Sequence, residues 1–419
     1  MLRIVVVAGS VSLIVASGGL VASQRASSTE AASRPTLVVA DAYTSVVASV
    51  LSPSTFPFKG TDGKYHIAYE LLILNASRVP AMLQKIEVVD AASQSRVIVS
   101  YSGEALISRL RGLAGESAIV DSAGIEPNGG RILYVDCAFD LLAEAPTFVL
   151  HHLSGLGASS PATQEPTAID YVILPFNISA GTPQTIAPPL RGKGWVALNG
   201  CCEPGFPHRG SDSPFNGRIV NGQRFAIDWK RMDDAGAFYE GDKTKNESYV
   251  DYGADILAVA DGTVIETLDG LNANDPGVLP AKDPVKAQSL TVQNVDGNHI
   301  VIDLGNGDYA FYAHLVKGSL KVKPGDKVKT GQVIASLGNT GNANASHLHF
   351  HLMDGPSVLA SNGVPYVINK FEYDGQVLPQ AIAGADDFLT GKFGQQRLTE
   401  PLPRADELPL AFAIVNFSD

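Results

Sequence analysis

Cysteine is scarce: the 419 residues hold three, Cys137, Cys201 and Cys202. So few thiols exclude the dense disulfide framework of small secreted domains, and their spacings exclude a structural zinc site built on cysteine. Cys201 and Cys202 either bridge to each other or send one partner to Cys137, and the odd count leaves one thiol over. None is given a catalytic role. Basic runs are missing as well. Lys and Arg number 31 against 43 Asp and Glu, for a net charge of −12, and the sequence pI is about 5.2. That balance excludes a partner recognised by a basic patch, such as nucleic acid or an anionic membrane face. Beyond the N-terminus no stretch reaches the roughly 18 apolar residues that a spanning helix needs. Apolar content is ordinary at 45%, which supports sizeable cores and argues against wholesale disorder.

What is present begins with Met1-Leu2-Arg3, then a mostly apolar run from Ile4 to Ala22 and small residues at Val21-Ala22-Ser23. A positive start, an apolar stretch and a small-residue cleavage site make a secretory signal peptide over residues 1–23. The alternative is an uncleaved N-terminal anchor. With cleavage, no membrane span remains, and the mature chain is expected to be secreted, periplasmic or in the cell envelope.

The length allows two or three domains. Residues 24–40 are small and polar without a period and read as a linker. From 41 to 196 short runs rich in Val, Ile, Leu and Tyr alternate with turn residues. Strands are expected over Tyr65 to Leu74, Gln84 to Val89, Arg96 to Tyr101, Gly130 to Phe139, Thr147 to Leu153 and Asp170 to Phe176, with one short helix over Gly103 to Gly112. This spacing predicts an antiparallel β-sandwich. His66 stands alone, and the neighbours His151 and His152 face opposite sides of a strand, so all three are read as structural. Pro188-Pro189-Leu190-Arg191-Gly192 marks a boundary. Residues 197–375 form a second domain, and 376–419 a tail with a final strand within Leu408 to Val415.

Six of the nine histidines lie between 208 and 351. The densest segment is His347-Leu348-His349-Phe350-His351. Its period of two predicts a strand with three imidazoles on one face. Neutral imidazole is the commonest metal ligand and a proton carrier near neutral pH. Upstream, Gly253 to Ile265 reads as strand, turn at Asp261-Gly262, and strand. Asn298 to Leu304 and Asp308 to Leu315 form a hairpin through Gly305-Asn306-Gly307. Val322 to Ile334 is another pair of short strands, read as scaffold. The insertions Met232 to Asp251 and Leu268 to Gln288 are read as surface loops able to wall a cleft, and His299 as incidental.

The run from Gln223 to His351 resembles the M23 family of zinc metallopeptidases, the lysostaphin- and LytM-like peptidoglycan endopeptidases. The matching pieces are Ala226-Ile227-Asp228-Trp229, Ile256 to Val264, Tyr312-Ala313-His314-Leu315, Val322 to Ile334, and Gly338-Asn339-Thr340-Gly341 leading into His347-Leu348-His349-Phe350. They cover about a third of the chain and come in the family's order. The resemblance implies an all-β protein whose C-terminal domain is a LytM-like antiparallel sheet. It also implies a zinc ion bound by Asp228 and His349, with His314 and His347 as the catalytic pair. Two histidines and a carboxylate would leave a fourth zinc position for water. The implied substrate is peptidoglycan, or another peptide.

One departure matters. The family places a His four residues before the Asp, and here that residue is Arg224, which stays protonated and cannot bind zinc. Arg224 is expected to pair with a carboxylate or with substrate. His208 is the nearest upstream histidine and is expected to supply the third ligand. The rival pairing is His208 with Asp212, which has the literal spacing. His351 is either a partner that orients His349 or His314, or an exposed strand residue. The missing ligand also supports an alternative function, a non-catalytic cell-envelope binding or activator module on the same fold.

Overall fold

Alternation in the strand Tyr65–Asn75 builds the first half of the molecule. The computed structural model describes residues 41–51, 55–113, 119–178, 181–378 and 393–418, all within one compact unit, Ala32–Asp419. The expected signal peptide and linker lie outside the described residues. Ile67, Tyr69, Leu71 and Ile73 point from Tyr65–Asn75 into a core shared with Leu83, Ile86, Val88, Val149 and Leu153. These residues come from two facing antiparallel sheets. One orders Val46–Val50, Tyr65–Asn75, Gly130–Phe139 and Leu110–Arg111; the other orders Thr167–Asn177, Phe148–Gly157, Ala81–Asp90 and Val97–Ser102. Each buried aliphatic side chain in that core contributes about 1.5–3 kcal/mol. The sandwich expected from the strand spacing is therefore present. The helix is shorter than expected, Gly103–Ile107, because the chain leaves it to pair Leu110 with Leu133 and Arg111 with Ile132.

The other face of Tyr65–Asn75 is also buried over the first half of the strand. His66, Ala68 and Glu70 project from it away from the sandwich core and are at most 6% exposed. Ala68 joins a second core with Phe58, Phe225, Ile227, Trp229 and Phe350. This core lies under a large antiparallel sheet. Its strands run in the order Lys327–Val328, Gly262–Leu268, His299–Asp303, Tyr309–Ala313, Leu348–Met353, Ile227–Arg231, Gly192–Leu198, Ala413–Phe417, Phe371–Val377 and Gln395–Arg404. Gly192–Leu198, at the boundary marked by Pro188-Pro189, sits in the middle of this sheet. The final strand lies beside it and pairs Val415 with Trp195.

The hairpin His299–Asp303 with Tyr309–Ala313 forms as expected. Two other expected pairings are exchanged. Asp255–Leu257 does not pair with Gly262–Leu268 across Asp261-Gly262. It pairs with Val333–Ser336, while Gly262–Leu268 pairs with Lys327–Val328 and His299–Asp303. The physical reason is the burial of both faces of this corner: Ile256, Ala258, Val264, Val328 and Ile334 enter the same core, which two local hairpins would leave open. Among the described residues no helix is long and apolar enough to cross a membrane.

Candidate metal centre

Strand register brings the histidines and the aspartate to one row. Asp228 lies opposite His349 across the pair Ile227–Arg231 and Leu348–Met353, and His349 lies opposite Ala313 on its other side. Residues two apart on a strand share a face, so His347, His349 and His351 line the same side as Asp228. Their strand neighbours Leu348 and Phe350 go into the core beneath. His314 follows the end of Tyr309–Ala313 in the left-handed region, at φ 66°, which turns its ring back over the row. His208 arrives from a separate loop.

His208 and His349 flank the carboxylate. His208 Nε2 is 3.3 Å from Asp228 Oδ2, and His349 Nδ1 is 3.0 Å from Oδ1. One donor atom from each of these three residues lies within 4.8 Å of the others. A carbonyl only accepts, so the 3.0 Å contact of His208 Nδ1 to the Ala226 carbonyl fixes a proton on Nδ1. Nε2 is then the atom turned to Asp228. Burial raises the Asp228 pKa, but the charges of His208 and His347 and hydrogen bonds from His208 and His349 outweigh it, and the carboxyl stays well below the usual carboxylate range. Burial opposes charge on His208, but Asp228 raises its pKa overall. For His349 burial wins and its pKa falls to about 4.

Two further imidazoles stand beside this trio. The rings of His314 and His347 are 4.6 Å apart, and His314 is 5.8 Å from the ring of His349. His347 Nε2 is 3.5 Å from Asp228 Oδ1. His314 Nδ1 donates to the Thr340 carbonyl at 2.8 Å, and His347 Nδ1 to the Ala345 carbonyl at 2.9 Å. Both rings therefore present Nε2. Burial, reinforced by His347 and His349, holds His314 well below the ordinary histidine pKa, so it is neutral.

The glycines of Gly338-Asn339-Thr340-Gly341 explain how the Thr340 carbonyl reaches His314. A Cβ on Gly338 would lie 2.6 Å from the Val316 nitrogen and 2.8 Å from the His314 carbonyl oxygen. Gly341 takes φ 72°, where a Cβ would lie 2.2 Å from the Gly297 nitrogen. Only glycine admits so close an approach of two backbones.

The structure brings together His208, Asp228, His314, His347 and His349. Asp212 goes elsewhere: Tyr134 donates its hydroxyl to Asp212, and Asn221 donates at 3.3 Å. Arg224 meets a carboxylate, Glu70, and is fully buried. His351 is buried, with Nδ1 3.0 Å from His349 Nε2, so it orients His349 and is not an exposed strand residue.

Sequence reasoning missed several supporting groups. Asn199 donates to Asp228 Oδ2 at 2.7 Å; the Asn199-Gly200 pair and its φ of 55° are the turn signal that marks it. Lys230, on the face of Asp228, donates to the Ser346 carbonyl at 2.8 Å and lies 3.7 Å from Asp251. Asp251 also accepts from the Ser346 hydroxyl, which fixes the entry to His347. The two insertions are more than surface loops. Asn274 donates to the carbonyls of Gly341 and Ala343 at 2.8 and 2.9 Å, and Asn339 donates to Asn246 at 2.9 Å. Both loops are thereby tied to the turn that carries Thr340.

Residues 247–362 match the model of Peptidase family M23. That stretch contains His314, His347, His349 and His351 and begins after His208 and Asp228. The peptidoglycan DD-endopeptidase ShyA of Vibrio cholerae is 46% identical over 57 residues, 14% of this chain and 13% of that protein. Endolysin 2638A of Staphylococcus phage 2638A is 34% identical over 101 residues, 23% of this chain and 16% of its own. The matches thus span only about an eighth to a sixth of the length of these relatives. The catalytic domain of lysostaphin from Staphylococcus simulans is 20% identical, covering 42% of this chain and 88% of that one, with a TM-score of 0.21, too low to carry a conclusion. On the sequence match, this chain carries a Peptidase family M23 domain over residues 247–362.

Proposed function

We propose that the protein is a secreted or cell-envelope zinc metalloendopeptidase that hydrolyses peptide bonds in peptidoglycan cross-links. His208, Asp228 and His349 would hold the zinc, and His314 and His347 would handle the proton and the developing oxyanion. In this reading the chain divides into a signal peptide, a linker, a sandwich, a peptidase domain and a tail, with the strands Gly192–Leu198 and Phe371–Val377, which the sequence boundaries at 196 and 375 would cut, belonging whole to the large sheet.

The observation that carries the reading is the convergence of three donor atoms within 4.8 Å. The donor set fits a divalent ion. His208 Nε2 and His349 Nδ1 face the two oxygens of one carboxylate, and Asn199 already occupies part of Oδ2. Only a proton or a cation relieves electron pairs that face each other so closely. With His349 Nδ1 given to a metal, its Nε2 proton goes to His351 Nδ1, the outer contact a ligating imidazole usually makes.

When bound, zinc would supply a water of pKa near 7 and polarise the scissile carbonyl. The remaining work falls to the chain. His314 and His347 keep their Nδ1 protons on backbone carbonyls, so each offers Nε2 at a fixed orientation. Neutral His314 accepts the proton of the attacking water and returns it to the leaving amine. His347 points its Nε2 to the same space and would stabilise the developing oxyanion by a hydrogen bond when that nitrogen carries a proton taken from solvent.

Arg224 in the usual ligand position favours one other reading, a binding or activator module without catalysis. Zinc content and digestion of purified sacculi, run beside a denatured protein substrate, separate the cases. About one zinc per chain with release of sacculus peptides is the expected result. Wild-type protein without zinc defeats the enzyme reading. Zinc with cleavage of the denatured protein alone removes peptidoglycan as the substrate.

A further inference from the structure

We propose that His66, Asp136 and Cys202 form a second divalent-metal site, available to zinc when the Cys201–Cys202 disulfide is reduced. This inference is independent of the proposed peptidase activity.

One donor atom each from His66, Asp136 and Cys202 lies within 4.8 Å of the others. His66 Nδ1 is 3.2 Å from Asp136 Oδ1, while Nε2 meets the Asp62 oxygens at 3.2 and 3.1 Å. Both ring nitrogens thus face carboxylates, and the ring carries two protons between them. A cation in place of the Nδ1 proton leaves Nε2–H donating to Asp62. That is the carboxylate–histidine–metal arrangement that fixes the orientation of a ligating imidazole. Asp62 is itself held, because its Oδ1 accepts from the Lys64 amide at 3.0 Å. The ring of His66 is fixed by stacking on Phe58 at 5.6 Å. The donor set of one imidazole, one carboxylate and one thiolate suits zinc, with a fourth position for water.

The disulfide joins adjacent residues. Loop-closure stabilisation grows with the length of chain enclosed, so this bridge ties no distant segments together and its opening leaves the fold in place. Cys201 stays packed in the core beside Phe58 and Phe225, and the half-buried Cys202 carries the free ligand. The chemistry balances with a dithiol as reductant. The dithiol gives two electrons and two protons to the Cys201–Cys202 bond and becomes a disulfide itself. As the cation binds, the Cys202 thiol and His66 Nδ1 each release one proton to solvent. A low-molecular-weight disulfide reverses this by thiol–disulfide exchange: it takes the two electrons, with one proton from the Cys201 thiol and one from solvent, leaves as thiols, and re-forms the Cys201–Cys202 bond, which removes the thiolate and expels the cation.

Cobalt(II) tests the site on the full chain. Protein is reduced with a dithiol, freed of it without air, and titrated with cobalt; the thiolate-to-cobalt charge-transfer absorption is read. The centre at His208, Asp228 and His349 has no thiolate and is silent in that band. The expected result is a band in reduced wild type, with about one more cobalt per chain than in oxidised protein. The band should persist in Asp228→Ala and vanish in Cys202→Ser, and His66→Gln should weaken cobalt binding at least tenfold. The comparison of oxidised with reduced wild type needs no substitution, so it stands even if a variant does not fold. Reduced wild type without the band overturns the proposal. So does a band of full strength in Cys202→Ser, which would place the cation on Cys201 or Cys137.

Discussion

Glu70, from the inner strand of the sandwich, holds Arg224 just ahead of Ile227–Arg231, an interior strand of the large sheet. Arg224 Nε donates to both carboxylate oxygens, at 3.0 and 2.9 Å, and Nη2 closes the fork. Arg209 also donates to Glu70 and to the carbonyls of Tyr69 and Val135. All three side chains are at most 1% exposed. The residue standing where the family has a zinc ligand is thus an anchor between the sandwich and the sheet. The same short segment delivers His208, one residue before Arg209, to Asp228.

Glu70→Gln should therefore act at a distance from the proposed zinc site. It leaves two buried guanidinium groups hydrogen-bonded to a neutral amide, with Asp212 the carboxyl that still feels their charge. Removal of one partner from a buried ion pair costs about 3–5 kcal/mol. Denaturant unfolding should show a loss of that size, together with weaker zinc retention as the His208 segment loosens. A loss below about 1 kcal/mol, the range of a surface pair, would mean that the cluster does not hold the two halves together.

The ligand assignment makes a prediction with a built-in control. His208→Ala and Asp228→Ala should both lose zinc, measured by elemental analysis of the purified protein. Asp212→Ala should keep it, because Asp212 is engaged with Tyr134 and Asn221. His347→Ala should keep the metal and lose turnover by at least about a hundredfold, the usual worth of a proton-transfer group. Zinc at full occupancy in His208→Ala would remove that residue from the ligand set.

Much of this centre was legible in the sequence because strand period is local. Alternation of His347, His349 and His351 with Leu348 and Phe350 is enough to place three rings on one face. The loss of a histidine at 224 pointed to His208. Other features depend on contacts far apart in sequence. Glu70 lies in a run, Glu70-Leu71-Leu72-Ile73, that carries no mark of a second buried face; only packing against the large sheet creates one. Asp261-Gly262 and Lys329-Thr330-Gly331 look like local hairpin turns, yet each strand pairs with a remote partner. A glycine turn permits a reversal of the chain without specifying what the next strand will bond to. Asn199 was invisible for the same reason, since its hydrogen bond to Asp228 spans 29 residues.

His351 gives a prediction about affinity without chemistry. Its Nδ1 meets the nitrogen of His349 that would not face the metal, and His351 Nε2 has no partner among the described residues. Burial, reinforced by His349, keeps His351 neutral, with its pKa well below the ordinary value. Loss of such an outer contact typically weakens a metal 10- to 100-fold. Competition with a chelator should find that weakening in His351→Phe, which fills a similar volume, with the fold intact by circular dichroism. Unchanged affinity would reduce His351 to packing.

The Glu70 cluster also sets a pH dependence. Burial, added to by the negative charge of Glu70, raises the Asp212 pKa to about 7; the hydrogen bond from Tyr134 and the charges of Arg209 and Arg224 only partly oppose this. The unfolded carboxyl titrates near 3.8. Between those values the folded protein binds a proton that the unfolded chain does not, so stability falls as pH rises through this window and levels off above 7. The shift corresponds to a cost of at most about 4 kcal/mol at pH 8. Denaturant unfolding of wild type should weaken from pH 5 to pH 8, and Asp212→Asn should flatten that slope and be the more stable form at pH 8. An Asp212→Asn profile parallel to wild type would assign the slope to another group.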